Sequence, residues 1–126
     1  MEELLITFET AKLAKEKGFD YKPNYYYNQK GELYFCQTYS NSWHSIGERD
    51  YLPATTQSLL QKWLREEKDF VVNSMPSIRE DVVIIWYFHI ISFKRANHVV
   101  GDGKFYKSYE EALEVGLQEA LKQVKG

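Results

Sequence analysis

The sequence predicts an α+β domain: a mostly antiparallel sheet of four or five strands with three helices, in the order α-β-β-α-β-β-(β)-α. Three observations carry this expectation. Apolar residues recur at helical spacing in three separate segments, runs rich in β-branched and aromatic residues lie between them, and a short glycine-containing loop joins one pair of strand candidates. Hydrophobic residues make up 44% of the chain and aromatics 16%, which excludes a polar disordered tail. Seven Gly and three Pro exclude a collagenous or linker-like chain. With 126 residues, one domain over 1–126 is expected.

The first helix is expected over about 8–17, after Thr7 and before Gly18, a natural left-handed stop. Its apolar face is thin, Phe8, Ala11 and Ala14 or Leu13, as suits a cover over a sheet edge. Residues 24–28 and 33–39 read as strands around Gln29-Lys30-Gly31, a loop suited to a hairpin. A second helix over about 56–68 follows Pro53 and a Thr55 or Thr56 cap, and turns Leu59, Leu60, Trp63 and Leu64 inward. A strand over 70–74 comes next. Residues 82–93 form the strongest strand; both of its faces are apolar, so it is expected to be central and covered on each side. Arg79, Glu80 and Asp81 before it, and Lys94 and Arg95 after it, read as gatekeepers against aggregation. A last short strand is expected at Phe105 and Tyr106, after the Gly101-Asp102-Gly103 turn.

The final helix, 108–124, opens with a capping box, Ser108 and Glu111. Behind the box, Leu113, Gly116, Leu117, Ala120 and Leu121 keep to one face. Gly116 on that stripe implies close approach to a neighbour. Glu110, Glu111 and Glu114 lie early and Lys122 late, as the helix dipole favours.

The segment TQSLLQKWLRE at 56–66, together with SYEEALEVGLQEAL at 108–121 and FETAKLAKEKG at 8–18, resembles a group of small uncharacterised proteins of phages, prophages and mobile elements of gut bacteria. The resemblance lies entirely in helical segments. It implies a phage or mobile-element context and brings no chemistry, cofactor or site residue with it.

Sixteen basic and eighteen acidic residues leave a net charge of −2, so no overall cationic field draws the chain to nucleic acid or membranes. The start has neither the basic residues nor the apolar length of a secretory signal. The longest apolar run, 82–91, is short of the roughly 20 residues a spanning helix needs. A single cysteine excludes an internal disulfide, and the expected location is the cytoplasm.

No chemistry-bearing motif emerges. Cys36, His44, His89 and His98 share no metal-ligand spacing, so no metal is expected. His89 lies within the apolar strand and reads as a packed ring, and Cys36 on a strand reads as an inert thiol despite His44 nearby in sequence. Gly101-Asp102-Gly103-Lys104 lacks the rest of a phosphate-binding loop and reads as a turn. The carboxylate pairs Glu66/Glu67, Glu80/Asp81 and Glu110/Glu111 read as solvated faces. No catalytic residue and no cofactor are expected.

Ten tyrosines, among them Tyr25-Tyr26-Tyr27, are the unusual count. The candidate binding surface is Tyr25, Tyr27, Phe35, Tyr39 and Trp43 on and after the hairpin. It suits a protein interface, where such side chains are the usual anchors, or a platform for stacking single-stranded bases. Cross-strand aromatic packing under the first helix is the plainer alternative. A candidate basic patch, Lys94, Arg95, Lys104 and Lys107, would serve nucleic acid, yet residues 1–50 around the tyrosines hold more acids than bases. The expected function is therefore a small non-enzymatic protein-binding module of phage or mobile-element origin. Its expected partner is another protein or a second copy of the chain as a homodimer, with no membrane. A single-stranded nucleic-acid-binding accessory protein is the alternative.

Overall fold

Each helix begins where a hydroxyl can cap it. The structure, a computed structural model, describes residues 4–19, 25–35, 52–78, 84–94, 97–101 and 104–124. In α1 (Phe8–Glu16) the Thr7 Oγ1 accepts from the Thr10 amide at 3.3 Å. The helix closes as expected at Gly18, whose φ of 96° lets the Phe19 amide return to the Ala14 carbonyl at 2.9 Å. In α2 (Gln57–Glu67) Thr56 accepts from the Leu59 amide at 3.2 Å. In α3 (Tyr109–Gln123) Ser108 Oγ accepts from the Glu111 amide at 3.1 Å, and the Glu111 carboxylate reaches the Lys107 amide at 3.4 Å. The amide it reaches lies one residue before the Ser108 amide that the capping box called for.

The strands are β1 (Tyr25–Tyr27), β2 (Leu33–Phe35), β3 (Leu52–Pro53), β4 (Val71–Ile78), β5 (Ile84–Ser92) and β6 (Asn97–Val100). They form two antiparallel sheets, ordered β2-β1-β3 and β4-β5-β6, where one sheet of four or five strands was expected. The division arises because both edges of β1 are taken, by β2 and by the very short β3, whose Leu52-Pro53 carries no strand-like run. The third strand of the second sheet is β6; of the expected Phe105–Tyr106 strand, only Tyr106 bridges to Trp86. Strand β4 runs past 74 to Ile78 through Pro76, which is tolerated because β4 is the edge of its sheet among the described residues. Residues 36–39, 79–83, 95–96 and 102–103 lie outside the described residues.

Helix α3 lies on one face of β4 and β5, and α1 and α2 pack against α3. Leu113, Leu117 and Leu121 meet Val72, Phe88 and Ile90 in one buried cluster. Gly116 makes the close approach its position implied: a Cβ there would lie 2.8 Å from Phe88 Cβ and 3.0 Å from Val72 Cγ1. Strand β5 is central, as expected, and among the described residues a helix covers one of its two faces. Phe88 and Ile90 are buried under α3, while Ile85, Tyr87, His89 and Ile91 on the opposite face are half-buried. Large neighbours shelter part of that face, as where Phe105 meets Tyr87 edge-on at 6.3 Å. Helix α1 packs on α3 and β3 through Thr10, Ala11 and Ala14, a role wider than covering a sheet edge.

A second joint ties the start of β4 to the turn after β5. Asp69 adopts φ 63°, in the left-handed region where Asp and Asn are tolerated. Its Oδ2 accepts from the Lys94 amide at 2.7 Å and from Ser92 Oγ at 3.0 Å. The Lys94 amide first, then the Ser92 hydroxyl and the Lys94 charge, outweigh partial desolvation and hold the Asp69 carboxyl below its usual 3.8. A depressed folded value means the joint stabilises the fold above the unfolded value and loses that contribution as pH falls toward the folded one. Melting curves from about pH 6 down to about pH 2.5 should show Asp69→Asn less stable than wild type at the upper end, with the gap closing below about pH 4. Parallel curves for the two proteins would remove the joint from the account.

Candidate interaction surface

The β1–β2 hairpin turns where the sequence placed it. Gly31 takes φ 84°, and Asn28 Oδ1 accepts from the amides of Lys30 and Glu32, each at 2.9 Å. The register sets Tyr25 opposite Phe35, and their rings stand 5.1 Å apart. Among the described residues β2 is the outer strand of its sheet, and all three of its side chains are exposed: Leu33 47%, Tyr34 47% and Phe35 56%. Tyr25 is 39% exposed beside them. Leu33 and Tyr34 were not singled out from sequence. The pairing of β1 with β3 on its other side, a long-range contact with no local signature, leaves β2 outermost among the described strands.

Tyr27 leaves this surface. Its hydroxyl donates to the Ile6 carbonyl at 2.8 Å, and its ring meets Phe8 edge-on at 5.9 Å. Burial first, and then the Glu114 charge, raise its pKa above 10.0. Here the plainer alternative, aromatic packing under the first helix, describes the residue. Tyr39 and Trp43 lie outside the described residues.

Lys94, Lys104 and Lys107 are exposed, and Arg95 lies outside the described residues. Lys94 follows the end of β5, whereas Lys107 follows Tyr106, which exchanges two 2.8 Å backbone hydrogen bonds with Trp86 near the start of β5. At about 3.3 Å per strand residue, Trp86 and Ser92 are roughly 20 Å apart. Lys94 and Lys107 therefore stand at opposite ends of the strand.

A cleft of about 360 Å³ opens between the end of α1 and the flank of α2, lined by Gly18, Phe19, Leu59, Lys62, Trp63, Glu66 and Glu67. The left-handed turn at Gly18 sends Phe19 back against α2, where it meets Trp63 edge-on at 5.2 Å. The Lys68 ammonium lies 5.5 Å from the centre of the Trp63 ring. Glu66 and Glu67 are exposed at the rim, as expected of them from sequence.

Sequence reasoning missed Glu114. It reads as one more acid near a helix N-terminus, yet it is buried at 9% exposure. Its Oε2 accepts from the Thr7 amide at 2.8 Å, from the Thr7 hydroxyl at 3.0 Å and from the Thr10 hydroxyl. Its Oε1 accepts from Gln57 Nε2 at 2.8 Å. Gln118 closes the cluster by donating to Thr10 Oγ1 at 2.9 Å. A signal existed: Glu114 precedes Leu117 and Leu121 at the spacing of one helical face. Both carboxylate oxygens are engaged by the chain's own donors, which makes Glu114 a structural clip for α1 and α2.

Among the described residues, no group of three or more His, Cys, Asp or Glu is placed to hold a metal ion. Among them, too, no helix is long and apolar enough to cross a membrane. Cys36, His44, Glu80 and Asp81 lie outside the described residues. Among the described residues, fold and surface define an α+β chain of two antiparallel sheets with an exposed aromatic outer strand. Compared with known proteins, the chain matches no family model, no curated protein and no solved structure.

Proposed function

We propose that this chain is a small non-enzymatic protein-binding module, of the phage or mobile-element kind that its helical segments resemble, and that it engages its partner through β2. The observation that carries the reading is the strand Leu33–Phe35, outermost among the described residues, whose side chains are exposed along its whole length beside Tyr25. Edge strands are commonly blunted by charge, proline or a bulge, and Leu33, Tyr34 and Phe35 supply none of these. A partner strand laid along this edge would gain main-chain hydrogen bonds, and the Tyr25–Phe35 pair would anchor it. The nucleic-acid alternative has weaker support, because Lys94 and Lys107 stand at opposite ends of β5 rather than in one patch.

The test compares tagged wild-type protein with a Leu33→Lys, Phe35→Lys double variant in host lysate, with and without nuclease treatment. Both side chains are exposed, so the melting temperature should barely change. A specific protein retained by wild type should fall by roughly tenfold or more on the variant. Equal retention by the two proteins, or recovery that requires intact nucleic acid, would overturn the reading.

A further inference from the structure

We infer that the strand received by β2 is the β2 of a second copy of this chain, laid antiparallel about a two-fold axis at Tyr34. The inference rests on the β2 reading and names its partner. The ladder fixes which main-chain groups are on offer. The Asn28 amide donates to the Glu32 carbonyl at 3.0 Å, so the Tyr26–Tyr34 pair is hydrogen-bonded and the Tyr25–Phe35 and Tyr27–Leu33 pairs are not. Tyr34 therefore turns its N–H and C=O toward β1, while Leu33 and Phe35 turn theirs outward. Among the described residues, no strand pairs with this outward row. Two other outer strands are closed where β2 is open. On β3 the outward position falls on Pro53, because the Ala54 amide donates to the Tyr25 carbonyl at 2.9 Å. On β4 the outward Val72 carbonyl accepts from Gln61 Nε2 at 2.6 Å, and Pro76 in the same row has no N–H to offer.

A copy of β2 satisfies that row completely. With the axis at Tyr34, Leu33 lies opposite Phe35 of the copy and Phe35 opposite its Leu33, and each pair exchanges both of its hydrogen bonds. Leucine then meets phenylalanine on the face that carries Tyr25, and the two Tyr34 side chains stand opposite each other on the other face. Charge permits the pairing. A two-fold axis brings a strand against itself, and Leu33, Tyr34 and Phe35 carry no charge. The neighbouring Glu32 accepts from Asn28 Nδ2 at 2.9 Å, and its two copies stand four strand residues apart, roughly 13 Å, beyond the Debye length of about 8 Å. The area sets the strength. About half exposed, these three side chains and Tyr25 offer on the order of 400 Å² per copy, near half of a standard interface, so the dimer forms at roughly 100 µM rather than at nanomolar concentration.

Sedimentation equilibrium of the full chain, from about 10 µM to about 1 mM, should show the mass rising from 14.9 kDa toward twice that value. Charge tests the position of the axis. Tyr34→Lys and Tyr34→Glu, at an exposed position, should each weaken self-association by roughly tenfold or more, because each sets like charges opposite one another. An equimolar mixture of the two variants should recover the dimer, more strongly at low salt, which also shows that both variants fold. A chain that stays monomeric at about 1 mM, a dimer indifferent to both Tyr34 variants, or a mixture that remains monomeric would overturn the inference. The first of these outcomes leaves the β2 reading standing, because the lysate comparison tests it separately.

Discussion

Glu114→Ala is expected to destabilise the fold by about 3 kcal/mol or more, because it strips the shared acceptor from several donors at once and leaves a void beside them. The Thr7 amide, the Thr7 and Thr10 hydroxyls and the Gln57 amide group all converge on this carboxylate. For a chain of this size the melting temperature should fall on the order of 10 °C. Glu114→Gln keeps the shape but turns an NH₂ toward groups that donate, so about 1–2 kcal/mol should be lost. The loss should be coupled to Thr10. In a double-mutant cycle of Glu114→Gln with Thr10→Val, the combined effect should fall short of the sum by roughly 0.5 kcal/mol or more. Hydrogen exchange should also quicken first in α1, whose buried side chains, Thr10, Ala11 and Ala14, are small. A variant within about 0.5 kcal/mol of wild type would mean that the clip contributes nothing.

Gly116→Ala should also destabilise, by about 1–3 kcal/mol, and the sign is the informative part. Helix propensity alone favours alanine over glycine by roughly 1 kcal/mol within a helix. The added methyl would stand 2.8 Å from Phe88 Cβ and 3.0 Å from Val72 Cγ1. Phe88 Cβ is fixed to the β5 backbone and cannot swing aside, so α3 must lift from the sheet. Urea unfolding measures the difference directly. A stabilised Gly116→Ala protein would show that α3 has room to move, and a larger side chain such as valine should do more damage than alanine.

The helices were legible because their signals are local. Thr7, Thr56 and Ser108 each cap within their own first turn, and Gly18 ends α1 through its own φ. The hairpin at Gln29-Lys30-Gly31 was legible for the same reason. The candidate surface was half legible. Tyr25 and Phe35 meet as strand alternation implied, whereas Tyr27 turned inward because Phe8 and the Ile6 carbonyl arrive from a distant part of the chain.

The sequence by itself determined where three helices begin and end, where the first hairpin turns, that the 82–93 run would be the central strand, and that Gly116 would sit at a tight contact. These depend on residues a turn or two apart, whose sterics and hydrogen bonds operate before the chain folds up. Tertiary structure alone decided that the strands divide into two sheets, that β2 becomes an exposed edge, that Lys94 and Lys107 stand apart, and that Glu114 is buried. In each case the deciding partner lies far along the chain: β3 for β1, Trp86 for Tyr106, Thr7 and Gln57 for Glu114. A pattern of polarity states which side chains can be buried, and the geometry of packing selects which of them are.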